Sequence, residues 1–98
     1  MKRIFKYEIP MRLSYMGASW EPRTNVKLPQ GARILTTQAQ NNVPVLWAEV
    51  DPEAPLEDRE LLIAATGEDL PADVERTYIG TIQLAQGNLI FHIYEEKS

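Results

Sequence analysis

Apolar and polar residues alternate with a period of two over several short segments, the pattern of β-strands with one face in water. Over residues 3–9, Phe5, Tyr7 and Ile9 fall on one side and charged residues on the other, and Pro10 ends the segment. The stretch 13–23 follows neither the strand nor the helix period and is predicted to be a loop. Further strands are predicted over residues 26–28, 34–40, 45–50, 77–84 and 89–94.

Two hairpins are predicted from the residues that separate these segments. Asn41 and Asn42 stand between residues 34–40 and 45–50, and asparagine tolerates the positive φ of tight hairpin turns. Between residues 77–84 and 89–94, Gly87 or Asn88 is expected to supply the positive φ.

Residues 45–50 are apolar on both sides except for Glu49, which predicts a strand that is central in its sheet and covered on both faces. Trp47 lies inside this segment and is therefore assigned to the core rather than to a ligand platform. We expect Glu49 to pair with a nearby arginine.

The segment 55–66 is ambiguous. Pro55 and Gly67 suit the two ends of a helix, whereas 61–63 reads equally as a short buried strand and the helical apolar stripe is discontinuous. We favour the strand. The predicted fold is mainly β, a small antiparallel β-sandwich or partly open barrel of about six strands; the alternative is an α+β fold with one helix near 55–66.

Composition indicates a single β domain over residues 1–98. The chain is 44% hydrophobic and 24% charged, as in ordinary globular proteins. It contains no cysteine, so disulfides, thiol catalysis and cysteine-based metal sites are excluded. The first ten residues lack the apolar stretch of a signal peptide, and the longest apolar run is 61–65, so we expect a cytoplasmic protein that is not in the membrane.

Charge distribution disfavours binding to bulk nucleic acid. The net charge is −4 and the pI about 4.9, so a phosphate backbone is repelled on average. The charge is nonetheless uneven: the first dozen residues are basic and residues 51–60 are acidic, so ends of opposite sign are available to meet between subunits. Because a small domain without disulfides has a thin stability margin, self-association is expected.

Two patterns, Pro-x-Gly-Ala-x-Ile-Leu at 29–35 and Leu-Trp-Ala-x-Val-Asp-Pro at 46–52, resemble a family of small uncharacterised proteins encoded by bacteriophages and prophages. The likeness continues through 66–67 and 78–81 to 91–92. It departs from the family at Val45, where members often have cysteine, at 68–69 and in the insert around Trp20. The resemblance implies a mainly β domain in a phage accessory setting, in the cytoplasm of a host bacterium. It implies no activity.

No constellation of residues predicts catalysis, a cofactor or a metal site. His92 is the only histidine and is assigned a structural or partly exposed position beside Ile90 and Tyr94, because a general base needs an orienting partner and a nucleophile. The acidic residues of 51–58 lack the spacing of a calcium loop and are assigned to a solvated loop. We therefore predict that the protein is not an enzyme.

Three functional classes remain. The leading one is a non-enzymatic interaction module, self-associating and binding a host or phage protein. The second is an anti-defence protein that captures a host signalling nucleotide, its phosphates held by arginines and its base stacked on an aromatic ring. The third is a virion or assembly component. The candidate ligand- or partner-binding residues are Trp20, Arg23, Arg33, Arg59, Arg76 and Tyr78.

Overall fold

A computed structural model describes residues 1–11 and 22–97. Within these ranges the chain forms seven strands and one short 3-10 turn, Ala85–Gly87. The strands are β1 (Arg3–Glu8), β2 (Arg23–Pro29), β3 (Arg33–Gln40), β4 (Val43–Val50), β5 (Leu56–Ala65), β6 (Arg76–Leu84) and β7 (Leu89–Glu96).

The strands form two antiparallel sheets, one of three strands in the order β1-β4-β3 and one of four in the order β2-β5-β7-β6. The predicted mainly β, sandwich-like fold is confirmed. β3 and β6 lie beside each other and close one side of the sandwich, whereas β1 and β2 flank the other side.

The core lies between the two sheets and is built from the side chains that point inward from the strands of each sheet. β4 is the central strand of its sheet, as predicted, and Leu46, Ala48 and Val50 point inward and are fully buried. From the larger sheet, Ile63, Phe91 and Ile93 pack against them. Trp47 points to the other face of β4 and is half-buried rather than part of this cluster.

The segment 55–66 is a strand, so the helical alternative near 55–66 is wrong. β5 pairs with β2 along Leu56 to Leu62 and with β7 along Leu61 to Ala65. Residues on both of its faces are buried there, since Leu61 and Ile63 face the core and Leu62 and Ala64 face outward. Burial on two faces removes the alternation that identifies a strand in sequence.

Both predicted hairpins are present. Asn41 and Asn42 have φ of 51° and 64° and join β3 to β4. In the turn from β6 to β7, Gly87 has the expected positive φ of 89°, but Asn88 does not, with φ of −77°. Asn42 also ties the two turns together, because its Oδ1 accepts a hydrogen bond from the Ala85 N–H at 2.7 Å.

Gly80 allows β6 to approach β3. The register of β6 on β7 shifts between Tyr78 and Gly80, and a Cβ added to Gly80 would lie 2.9 Å from Thr37 Cγ2. Thr37 is buried, and its hydroxyl donates to the Val45 carbonyl at 2.7 Å. The threonine therefore cannot turn away without losing that bond, and the contact between the sheets depends on glycine at this position.

Candidate interaction surfaces

β1 forms one edge of the three-stranded sheet and is paired on one side only, within the part of the chain that the structure describes. Its antiparallel register with β4 is unbroken, from Arg3 opposite Val50 to Glu8 opposite Val45. Unpaired edges present a row of backbone donors and acceptors that another strand can extend. β1 also exposes two large apolar side chains, Ile4 at 61% and Phe5 at 38%.

The direction of the backbone groups of β1 follows from one hydrogen bond. Ile9 N–H donates to the Pro44 carbonyl at 2.9 Å, in continuation of the regular register. Because backbone groups alternate in direction along an antiparallel strand, Phe5 and Tyr7 also point theirs at β4. Ile4 and Lys6 therefore direct their N–H and C=O groups away from β4, to the free edge.

A second candidate surface lies on the outer side of β6 and β7. We call it the tyrosine face and define it by Arg76, Tyr78, Thr81, His92 and Tyr94. The Tyr78 and Tyr94 rings meet edge to face with centroids 5.4 Å apart, and the Arg76 guanidinium lies 5.7 Å from the Tyr94 centroid. Tyr78 is 55% exposed, so its aromatic ring is accessible to solvent although it contacts neighbouring side chains on the same face.

His92 links three elements through hydroxyl groups that sequence reasoning missed. Its Nε2 is 2.8 Å from the Thr66 hydroxyl and its Nδ1 is 2.9 Å from the Thr81 hydroxyl. The Thr81 hydroxyl in turn lies 2.5 Å from the Tyr78 hydroxyl. The partly exposed position predicted for His92, on the side of Ile90 and Tyr94, is confirmed. Its two ring nitrogens cross-link the end of β5 to β6 and orient the exposed Tyr78.

Two of the predicted binding arginines are bound to carboxylates of β7. Arg59 forms a two-pronged ion pair with Glu95, and its Nη1 donates to the Ala32 carbonyl at 2.8 Å. Arg23 donates to both carboxylate oxygens of Glu96, at 2.6 and 3.1 Å. These hydrogen bonds raise the pKa of both guanidinium groups and hold the pKa of the Glu96 carboxyl below its usual value.

The predicted binding residues are not gathered at one site. Arg76 and Tyr78 share the tyrosine face, but Arg33 lies on β3 in the other sheet. Trp20 lies outside the described residues. The predicted partner for Glu49 is not found among the described arginines: Arg33 lies opposite Glu49 in the register, and no ion pair joins them.

A cleft of about 620 Å³ opens where β7 ends and β5 continues, lined by acidic residues of 57–60 and 95–96 together with Asn25, Arg59 and Lys97. Its carboxylates pair with cations: Glu57 lies 3.7 Å from Arg59, Glu60 lies 3.7 Å from Arg23, and Asp58 lies 2.8 Å from Lys27. The cleft is therefore a network of surface and half-buried ion pairs.

Over residues 1–11 and 22–97, no group of three or more histidine, aspartate or glutamate side chains is placed to hold a metal ion. Over the same residues, none of the helical structure has the length and apolar character needed to cross a bilayer.

The fold and these surfaces define a small all-β sandwich domain with a free edge at β1 and an aromatic face on β6 and β7. A family model described as "Domain of unknown function (DUF7352)" matches residues 1–98. The chain belongs to this DUF7352 family. No curated protein and no solved structure shows a significant match to it.

Proposed function

We propose that this chain is a non-enzymatic interaction module that associates with copies of itself through the free edge of β1. The observation that carries the proposal is the outward direction of the Ile4 and Lys6 backbone groups beside two exposed apolar side chains. Strand addition at such an edge satisfies the backbone groups and buries the side chains together.

The other edges are less suited to this role. β3 and β6 lie against each other at the closed side of the sandwich. β2 buries its apolar residues Val26 and Leu28 in the core and presents polar side chains instead. Among the described strands, β1 alone combines a free edge with exposed Ile and Phe side chains.

Light scattering on the purified chain at micromolar concentration tests the proposal, with Ile4→Pro as the decisive variant. Proline at this position removes an N–H that points to the free edge and leaves the ladder to β4 intact. We expect the wild type to dimerise and Ile4→Pro to remain a monomer with an unchanged β-type circular dichroism spectrum.

The matched control is Phe5→Pro, which removes a donor to β4 and is expected to destabilise the fold. A wild-type protein that stays monomeric at all accessible concentrations, or an Ile4→Pro variant that dimerises equally well, would contradict the proposal.

The environment of His92 supports a non-enzymatic role. Its ring nitrogens contact the hydroxyls of Thr66 and Thr81, and the nearest residues of this network are threonine and tyrosine rather than a carboxylate that would orient a general base. We assign the network to holding the tyrosine face in place.

Capture of a small nucleotide is the second candidate function, favoured by the tyrosine face. An exposed Tyr78 ring offers a stacking surface, and Arg76 on the same face offers a positive charge for a phosphate. Thermal-shift measurements with linear and cyclic nucleotides test this. We expect any shift to be lost in Tyr78→Ala and kept in Arg33→Met, and no shift with any nucleotide would remove the candidate.

The biological setting proposed for the module is that of a phage accessory protein, on the strength of the sequence resemblance. Self-association suits an anti-defence factor and a virion or assembly component alike. Mass spectrometry of purified particles separates the two, because only a virion component is retained in them.

A further inference from the structure

We infer that β1 pairs antiparallel with β1 of a second copy in the register that places the two-fold axis at Phe5. This inference rests on the proposed self-association and specifies its geometry. It follows from the symmetry of the pairing, the length of the strand and the charges along it.

Symmetry restricts which residues meet. In an antiparallel pair, directly opposite residues point to the same face of the sheet. Two identical strands related by a two-fold axis perpendicular to the sheet therefore pair even with even and odd with odd residues, and the axis passes through one residue position. Within Arg3–Glu8 the interior positions are Ile4, Phe5, Lys6 and Tyr7.

Strand length then favours the two central positions. With the axis at Ile4 only residues 3–5 of the strand overlap, and with the axis at Tyr7 only residues 6–8. With the axis at Phe5 the overlap covers residues 3–7, and with the axis at Lys6 it covers 4–8. Longer overlap provides more backbone hydrogen bonds and more cross-strand contacts.

The charges along β1 favour the axis at Phe5 over the axis at Lys6. An axis at Lys6 puts each Lys6 directly opposite its own copy, and like charges in that position are destabilising. An axis at Phe5 puts no two charged residues of the strand directly opposite each other, because Arg3 then faces Tyr7. Ile4 then lies opposite Lys6, and the two Phe5 rings meet at the centre.

The backbone agrees with this register. Ile4 and Lys6 direct their N–H and C=O groups to the free edge, so each opposite Ile4 and Lys6 pair exchanges two hydrogen bonds. Phe5 falls at a non-hydrogen-bonded position, where opposite side chains come closest. The two three-stranded sheets join into one sheet of six strands, in the order β3-β4-β1-β1-β4-β3.

Single cysteine substitutions along β1 test the register, because the chain contains no cysteine of its own. The series is Ile4→Cys, Phe5→Cys, Lys6→Cys and Tyr7→Cys, with Gln30→Cys in the exposed turn between β2 and β3 as the reference. Each variant is oxidised mildly and its disulfide-linked dimer is followed on a non-reducing gel. An axis at Phe5 brings opposite Cα atoms to about 4.5 Å, within the range that a disulfide spans.

We expect Phe5→Cys to cross-link fastest, about a hundredfold faster than Gln30→Cys at ~10 µM protein, because paired strands hold the thiols at a millimolar effective concentration. Ile4→Cys and Lys6→Cys are each expected to cross-link slowly alone and rapidly when mixed with each other. That mixture uses two exposed positions and keeps the test valid if Phe5→Cys fails to fold.

Fastest cross-linking at another position of β1 would overturn the register while leaving self-association in place. If no variant exceeds Gln30→Cys, both the register and the docking edge are wrong. In that case, light scattering of the wild type shows which part of the account fails. A dimer would mean that the copies meet at another interface, whereas a monomer would contradict the proposed function itself.

Discussion

The ion pair between Arg23 of β2 and Glu96 of β7 offers a quantitative test of what holds β2 in place at the edge of the larger sheet. Glu96 is the last residue of β7, and its side chain is only 3% exposed although it carries a charge. Two hydrogen bonds from Arg23, at 2.6 and 3.1 Å, offset the loss of hydration. The perturbation is Arg23→Gln, which leaves the carboxylate buried without its main partner.

The expected loss is about 2–3 kcal/mol in the free energy of unfolding at pH 7. Removing one partner of a fully buried pair costs about 3–5 kcal/mol. The Arg23 side chain is 43% exposed, so water entering its place recovers part of that cost. The corresponding fall in melting temperature is on the order of 10–20 °C for a domain of this size.

Urea denaturation followed by tryptophan fluorescence measures the loss. The matched control is Lys27→Gln on the same strand, because Lys27 pairs with Asp58 at 2.8 Å in an exposed setting and should contribute less than about 1 kcal/mol. A loss below about 0.5 kcal/mol in Arg23→Gln, or equal losses in the two variants, would refute the reasoning.

The same variant predicts a change in pH dependence. In the wild type, hydrogen bonding by Arg23 keeps the pKa of Glu96 below its ordinary value, so this pair stabilises the fold above that value and the stability is lost as the pH falls through the lowered pKa. In Arg23→Gln, burial then raises the pKa of Glu96 relative to the wild type. The stability difference between the two proteins should therefore narrow as the pH falls below 4.5, and a constant difference would contradict the assignment.

Three further predictions concern the fold and the tyrosine face. Gly80→Ala should lower the free energy of unfolding by about 1–3 kcal/mol, measured by urea denaturation, because the added methyl clashes with Thr37. Adding Thr37→Ser, which removes the clashing methyl of Thr37, should restore part of this loss. If nothing is restored, the clash is not the cause. Asn41→Val should destabilise by about 1–2 kcal/mol in the same assay because of its positive φ, whereas Asn41→Gly should not; equal effects would argue against a turn-specific cause. His92→Ala should lower the melting temperature by on the order of 5 °C through loss of its hydroxyl contacts, and an unchanged melting temperature would show that the network contributes nothing.

The strands and hairpins could be predicted because their signals are local. Alternation over 3–9 and turn residues such as Asn41 and Gly87 act within a few positions of the chain. β5 is harder to predict, because residues 61–64 are buried on both faces of the strand and the alternation that identifies a strand is absent there. The first half of β5 is also hard to predict as a strand, because its acidic residues next to Pro55 are typical of a solvated loop.

The candidate surfaces were predictable only where their residues are close in sequence. Arg76 and Tyr78 are two positions apart on one strand, so their common face follows from alternation. The engagement of Arg59 by Glu95 joins residues 36 positions apart, and the contact of Thr66 with His92 joins residues 26 apart. The pattern of residues along the chain does not predict such long-range contacts unless the order of the strands in the sheets is known.

Amide hydrogen exchange along β1 tests the central claim most directly. At a concentration where the chain is monomeric, the amides of Phe5 and Tyr7 should be protected by β4, whereas those of Ile4 and Lys6 exchange freely. At a concentration where light scattering reports a dimer, we predict that the Ile4 and Lys6 amides also become protected. Free exchange of both amides in the dimer would show that copies of the chain do not meet at this edge.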